Sequence, residues 1–132
     1  MINDEIVFDI ADIKQLEVDL GPEMIATKIV NKDDVIALGR KAPKNRWYYK
    51  ISYDNEKEYL ESLDKMADQL SDKAEYVNEL TRIYEEVSIT IYMRSEFAEL
   101  GCSIPNQILK KLSLLDCPLN FSVLSFGMAP NA

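Results

Sequence analysis

The chain has 132 residues, of which 47% are hydrophobic and 29% charged, and its net charge is -8. This length is enough for one domain with a core of its own, and the composition excludes bulk disorder. The longest apolar runs are a few residues, which argues against a membrane span. The sequence contains no histidine, so the commonest general base and metal ligand are missing.

The N-terminal residues predict a strand followed by a short helix. Residues 5–11 alternate in polarity, which is typical of a strand with one face on the core. Helical spacing follows, and it predicts a helix over residues 12–20 with Asp12 as its N-cap and Gly21-Pro22 as its stop. The inward residues are Ile6, Phe8 and Ile10 in the strand, and Ile13, Leu16 and Leu20 in the helix.

The next part of the chain predicts strands on either side of a basic loop. Residues 24–30 and 34–38 are β-branched and apolar, which favours a hairpin or an irregular strand pair. Residues 39–45 form the basic loop, and residues 46–53 alternate more regularly than any other segment. One face of this predicted strand carries Trp47, Tyr49, Ile51 and Tyr53.

Two amphipathic helices are predicted next. Apolar residues recur at i, i+3 and i+4 over residues 55–70, and Ser71 is the predicted N-cap of the second helix. The apolar stripe of the first helix contains Tyr59, Leu60, Leu63, Met66, Ala67 and Leu70. The stripe of the second contains Ala74, Val77, Leu80, Ile83 and Tyr84.

The last third of the chain predicts strands over residues 87–94 and 119–126, separated by a helix. Ser103 is the predicted cap of that helix, and Pro105 lies in its first turn. The order of elements predicts one α+β domain over residues 1–132, with a flexible tail from about residue 127. We expect an antiparallel or mixed sheet of about five strands with helices on one face, preferably a ferredoxin-like pseudo-duplicate.

The charge is distributed unevenly. Residues 1–25 carry a net charge of -6, residues 26–50 carry +5, and residues 55–86 carry -6. The acidic helices are therefore either a solvated face or a surface that attracts a basic partner. The residues expected to contact such a partner are Glu58, Glu61, Asp64, Asp68, Asp72, Glu75 and Glu79.

The basic insert offers an alternative site. Residues 40–50 contain five cations and three aromatic residues without an acid, a composition that suits an anion or a small ligand. The ligand-binding candidates are Arg40, Lys44, Arg46 and Tyr48. A solvated loop that pairs internally with the acidic helices is the other interpretation. We expect no nucleic-acid or membrane partner, because the surrounding segments are strongly acidic.

Chemistry-bearing patterns are sparse. Asp9 with Asp12, and Glu85 with Glu86, are carboxylate pairs only by their closeness in sequence. No phosphate-binding loop is present, and Cys102 and Cys117 lack metal-ligand spacing. Both cysteines are expected to be buried free thiols, with a disulfide as the alternative. We therefore expect no catalytic residues, no metal and no cofactor. The acidic N-terminus lacks a signal-peptide pattern and favours the cytoplasm.

The layout of most of the chain resembles the bacterial domain-of-unknown-function family 4279. The resemblance is carried by the first strand and Leu20-Gly21-Pro22, by Arg46-Trp47, and by Ile104-Pro105 with the helix and strand that follow. It implies a small bacterial α+β protein without catalytic residues, some relatives of which lie near toxin genes as suspected immunity proteins. The predicted function is a non-enzymatic protein-binding domain, most specifically an immunity-type inhibitor that neutralises a toxin through its acidic surface. Formation of a homo-oligomer is a further alternative that the sequence leaves open.

Overall fold

The computed structural model describes residues 4–95 and 103–125, with side chains described from Asp4 to Arg94 and from Ser103 to Val123. The strands are β1 (Glu5–Asp12), β2 (Lys28–Val30), β3 (Asn45–Ser52), β4 (Glu86–Ser95) and β5 (Leu119–Ser125). The helices are α1 (Glu56–Ser71), α2 (Ala74–Ile83) and α3 (Asn106–Leu112).

The five strands form one mixed sheet in the order β2-β3-β1-β4-β5. Strand β1 is central and pairs antiparallel with both β3 and β4, and β2 pairs antiparallel with β3. Strand β5 runs parallel to β4, which requires a crossover connection, and that connection contains α3. This architecture confirms the predicted α+β class. It is not a ferredoxin-like pseudo-duplicate, since no α-helix connects β1 to its neighbour β3.

The inner face of the sheet carries the core. The register places Phe8 opposite Tyr49 on one side and Ile89 on the other, so the alternating residues of three strands form apolar rows. Helix α1 covers these rows with residues that are 0% exposed, among them Leu63 and Met66. Each such side chain contributes about 1.5–3 kcal/mol when it leaves water. The predicted inward residues of β1 and β3 are thus confirmed.

The predicted helix over residues 12–20 is wrong. Asp12 does not cap a helix, because it is the last residue of β1 and no helix follows it. Its Oδ1 accepts from Lys14 N (3.0 Å), and its Oδ2 accepts from Glu85 N (2.8 Å). The segment then runs over the surface without regular structure. The Tyr84 hydroxyl accepts from Glu17 N at 2.7 Å, and the Tyr76 hydroxyl accepts from Asp19 N at 3.0 Å. Tyr76 of α2 and Tyr84, the residue directly after α2, therefore supply bonds that a local helix would otherwise make.

Three boundary predictions also need correction. Ser71 is the last residue of α1, and α2 begins after Lys73. Pro105, not Ser103, is the N-cap of α3. The apolar residues 34–38 do not pair with residues 24–30; β2 pairs with β3 instead, and residues 31–44 form the loop that joins them. Cys102 and the predicted tail from residue 127 lie outside the described residues.

Candidate functional site

The acidic residues predicted to bind a partner lie on α1 and α2. Both helices bury one apolar stripe, so the charged residues between those positions face outward. Five of the seven candidates are exposed: Glu61, Asp68, Asp72, Glu75 and Glu79. Glu58 and Asp64 are half-buried. We call the seven residues together the acidic helical surface.

Glu58 has a structural role at the start of α1. Asn55 is the N-cap, and its Oδ1 accepts from Glu58 N at 2.9 Å. In return, the Glu58 Oε1 accepts from Asp54 N at 2.9 Å. This reciprocal capping satisfies backbone N–H groups that the first turn leaves without partners. The Glu58 side chain is therefore used in capping α1, and the remaining six residues are the better candidates for contacts with a partner.

Asp64 and Asp68 share one cation from α3. The Nζ atom of Lys111 lies 2.7 Å from Asp64 Oδ1 and 2.6 Å from Asp68 Oδ1. Hydrogen bonds to Asp64 and then to Asp68 raise the pKa of Lys111 above its usual value. The two carboxylates thus tie α3 to α1 and are partly neutralised. Among the residues that the structure describes, the acids of this surface without a salt bridge are then Glu61, Asp72, Glu75 and Glu79.

A groove of about 530 Å³ runs along the exposed side of α1. Residues 23 and 24 form its other wall, which Gln69 ties to the helix by donating to Glu23 O at 3.5 Å. We call this the acidic groove. It is lined by Glu23, Met24, Glu61, Asp64, Lys65, Asp68, Gln69, Asp72 and Lys73. Five acids and two lysines give the lining a net charge of -3.

The basic insert is mostly neutralised inside the fold. Lys44 Nζ contacts Glu86 Oε2 at 2.7 Å and also contacts Glu85, and hydrogen bonds to Glu85 and Glu86 raise its pKa. The bond to Lys44 correspondingly lowers the pKa of Glu86. Arg46 donates to Asp9 Oδ2 at 3.2 Å. The expected pairing partners were the acidic helices, but the acids that pair with the insert lie on β1 and at the start of β4.

The four ligand-binding candidates do not form one site. Arg40 is exposed in the loop between β2 and β3, whereas Tyr48 is half-buried on the outer face of β3. Burial raises the pKa of Tyr48, and Lys50 Nζ lies 5.3 Å from the centre of its ring. Lys44 and Arg46 engage carboxylates, so their charges are not free for an anion. The structure therefore weakens the ligand-binding alternative.

The fold places the two carboxylate pairs differently. Asp9 and Asp12 are three residues apart on β1, so their side chains point to opposite faces of the sheet. Glu85 and Glu86 converge on Lys44. Asp9 is the unusual member, because within the described residues its buried Oδ1 has no hydrogen-bond partner. Burial raises its pKa, and the neighbouring Arg46 opposes that effect.

Sequence reasoning missed the ion pairs of the outer sheet face. Arg46 with Asp9, Lys50 with Glu5 (3.8 Å) and Arg94 with Asp4 (3.3 Å) join neighbouring strands there. Val7 lies on this face and is only 3% exposed. A signal was available, since opposite charges occupy alternate positions of β1 and β3.

Other features bear on the class of protein. In the ranges that the structure describes, no group of three or more potential ligands could hold a metal ion. No described helix has the length and apolar character needed to cross a bilayer. Cys117 is a half-buried free thiol, and burial raises its pKa to about 11.

Comparisons with known proteins identify the family. The family model described as "Domain of unknown function (DUF4279)" matches residues 5–125, which span all five strands and all three helices. The chain therefore belongs to this family, as the resemblance predicted. Neither a curated protein nor a solved structure matches it significantly.

Proposed function

We propose that this member of the DUF4279 family is a non-enzymatic protein-binding domain that contacts a basic partner through the acidic helical surface. The observation that carries the proposal is an asymmetry in how the fold uses its charges. Lys44 and Arg46 of the basic insert are held in ion pairs, whereas Glu61, Asp72 and Glu79 have no salt bridge within the described residues.

Free charges on one side of a molecule act on association before contact is made. A cluster of like charges attracts an oppositely charged partner and orients it, so it raises the association rate more than it slows dissociation. The acidic groove adds shape to this surface, because it is a concavity of about 530 Å³ with five acids in its lining. A lysine or arginine side chain of a partner fits such a concavity, since its stem can lie along the lining while its charge meets the carboxylates.

The finer form of the proposal is an immunity-type inhibitor that neutralises a basic toxin. Such an inhibitor needs no catalytic residues, because covering the surface of the toxin is sufficient. The absence of histidine and the placement of Asp9 and Asp12 on opposite faces of the sheet agree with that role. The free acids of α1 and α2 would then pair with cations around the toxin's substrate site.

The test is a titration of this protein with the product of the adjacent gene, by calorimetry at low and at high salt. Glu61→Lys and Asp72→Lys are the test variants, because both side chains are exposed and lie in the groove. Glu17→Lys is the matched control, since it changes the net charge equally on the exposed segment that follows β1.

We expect each test variant to weaken binding about tenfold, chiefly through the association rate, and the control to bind like the parent. High salt should weaken binding by the parent and should affect binding by the test variants less. Binding that ignores both salt and the reversals would refute the acidic surface. Failure of the adjacent product to bind would refute the immunity role.

A further inference from the structure

The two edge strands of the sheet differ in length and in charge. The strand order leaves β2 at one edge and β5 at the other. Strand β2 has only three residues and begins with the exposed Lys28. Strand β5 has seven residues, none of which is charged. Its pairing with β4 runs from Leu119 to Ser125 without a bulge, and no strand among the described residues pairs with its other side.

Strand β5 lacks the features that keep an open edge from pairing. Natural proteins protect such an edge with short strands, charged side chains, proline or bulges. Strand β2 is short and carries a lysine, whereas the seven residues of β5 show none of these four features. An open edge of this length and composition is a template for a further strand.

The inner face of β5 is incompletely covered. Phe121 pairs with Ile91 and Val123 pairs with Met93, so both side chains lie on the face of the sheet that carries the core. Ile91 and Met93 are buried, whereas Phe121 is 46% exposed and Val123 is 45% exposed. Two half-exposed apolar side chains beside an open edge form a surface that an added strand would cover.

The same two residues direct their backbone groups toward the open edge. Ile89 N donates to Pro118 O at 3.0 Å, so the carbonyl of Pro118 faces β4. Successive residues of a strand direct their N–H and C=O groups to opposite sides, so those of Ser122 also face β4. The N–H and C=O groups of Phe121 and Val123 therefore face away from β4, where an added strand would lie.

The charge distribution favours a second copy of this chain as the added strand. Each molecule has a net charge of -8, so two copies repel each other over most of their surfaces. Residues 117–132 contain no Asp, Glu, Lys or Arg, so two copies that meet at β5 place no like charges of these strands together. A basic partner, by contrast, finds no carboxylate on β5 to pair with.

We propose that β5 pairs antiparallel with β5 of a second copy, about a two-fold axis at Ser122. This register pairs all seven residues of each strand and places Phe121 opposite Val123 of the second copy. The residues whose backbone groups face the edge then lie opposite each other, as an antiparallel ladder requires. The contact is isologous, so it closes at a dimer and joins two five-stranded sheets into one. This inference goes beyond the proposed function.

The dimer should be weak, and salt should strengthen it. One pair of edge strands buries less than the roughly 1,200 Å² of a standard interface, so we expect a dissociation constant of about 10 μM or above. Salt screens the repulsion between the two acidic molecules, so the dissociation constant should fall at high salt. Binding of a basic partner should weaken under the same conditions, which distinguishes the two kinds of association.

Sedimentation velocity from about 5 μM to about 500 μM, at low and at high salt, tests the dimer over the range expected for such an interface. Phe121→Lys places a charge opposite an apolar residue of the second copy. Val123→Pro removes an N–H group that faces the open edge, so it costs no hydrogen bond to β4. Ile29→Lys is the matched control, because Ile29 is 60% exposed on the other edge strand. Urea unfolding of each variant establishes that it is folded.

Cysteine cross-linking tests the register in a C102A/C117A background. Ser122→Cys places two thiols opposite each other at the two-fold axis, with Cα atoms about 4.5 Å apart, a separation that a disulfide spans. Asn120→Cys is the matched control on the same strand. The proposed register puts the two copies of residue 120 four positions apart, or roughly 13 Å along the strands.

We expect the parent and Ile29→Lys to form dimers as concentration and salt rise, and Phe121→Lys and Val123→Pro to remain monomers. Oxidation should convert Ser122→Cys, but not Asn120→Cys, into a disulfide-linked dimer. A parent that is monomeric at the highest concentration would overturn the proposal, as would dimers that persist in both β5 variants or that disappear in Ile29→Lys. Equal cross-linking of the two cysteine variants would also overturn it. None of these measurements uses the basic partner, so their failure is separable from that of the proposed function.

Discussion

Two tyrosine hydroxyls, from Tyr76 in α2 and from Tyr84 directly after it, should hold the segment after β1 in its extended path. The Tyr84 hydroxyl accepts from Glu17 N at 2.7 Å, and the Tyr76 hydroxyl accepts from Asp19 N at 3.0 Å. Changing each tyrosine to phenylalanine removes the acceptor and leaves the ring in place. It therefore measures the hydrogen bond with little disturbance of packing.

The expected loss follows from the net value of a hydrogen bond. Each bond contributes about 0.5–1.5 kcal/mol, so Tyr84→Phe should lower the free energy of unfolding by about 1 kcal/mol. The bond to the Tyr76 hydroxyl is more exposed, so Tyr76→Phe should lower the free energy of unfolding by less. The double variant should lose about 1.5 kcal/mol, with some coupling because both bonds hold one segment. For a domain of this size that corresponds to a Tm lower by roughly 5 °C.

Urea unfolding measures the free energy, and amide exchange of Glu17 and Asp19 locates the effect. The two amides should exchange about five- to tenfold faster in the double variant. Tyr53→Phe is the comparison variant, because its hydroxyl donates to Tyr92 O at 2.8 Å within the sheet. It should lower stability similarly without changing those two amides. A double variant that loses under about 0.3 kcal/mol, with unchanged exchange, would refute the tyrosine anchors.

Three further predictions concern single groups. Leu63→Ala should lower the free energy of unfolding by about 2–5 kcal/mol, measured in urea, because Leu63 is 0% exposed and leaves a cavity; a loss under 1 kcal/mol would contradict its place in the core. The free energy of unfolding of Asp9→Asn should rise relative to that of the parent as pH rises above about 4. Burial raises the pKa of Asp9 above its usual value of 3.8, so ionisation of this carboxyl costs the parent stability above that pH. A difference in free energy of unfolding between the two proteins that stays constant from pH 3 to 7 would exclude this. In a Cys102→Ser background, Cys117 should react slowly with iodoacetamide at pH 7.5, because a thiol pKa of about 11 leaves little thiolate; a rate like that of a free cysteine would contradict its burial.

The regular strands and the long helix could be predicted because their periodicity reflects burial directly. Ile6, Phe8 and Ile10 alternate because one face of β1 meets the helices, and that pattern is local. The segment 13–20 could not be predicted in this way. Its fate depends on two tyrosines more than fifty residues away, and a local periodicity does not report such a partner.

The candidate site was predictable in composition but not in pairing. The run of acids in α1 and α2 located a charged surface, yet the sequence did not show that Lys111 bridges Asp64 and Asp68. It likewise placed Lys44 in a basic loop without indicating Glu85 and Glu86 as its partners. Charge counts along a chain treat neighbours in sequence as neighbours in space, whereas ion pairs form across strands and between helices.

The central position of β1 has a consequence for how the chain folds during synthesis. This strand precedes the other four described strands in the chain, but its two neighbours in the sheet are β3 and β4, and β4 ends only at Ser95. Pairings so distant in sequence form slowly, because the intervening chain must be ordered before they contribute. In a nascent chain that extends only to the end of α2, β1 with its Ile6, Phe8 and Ile10 therefore has one edge without a pairing strand. If translation pauses before β4 is made, the incomplete chain is at its most prone to aggregation or to binding by a chaperone.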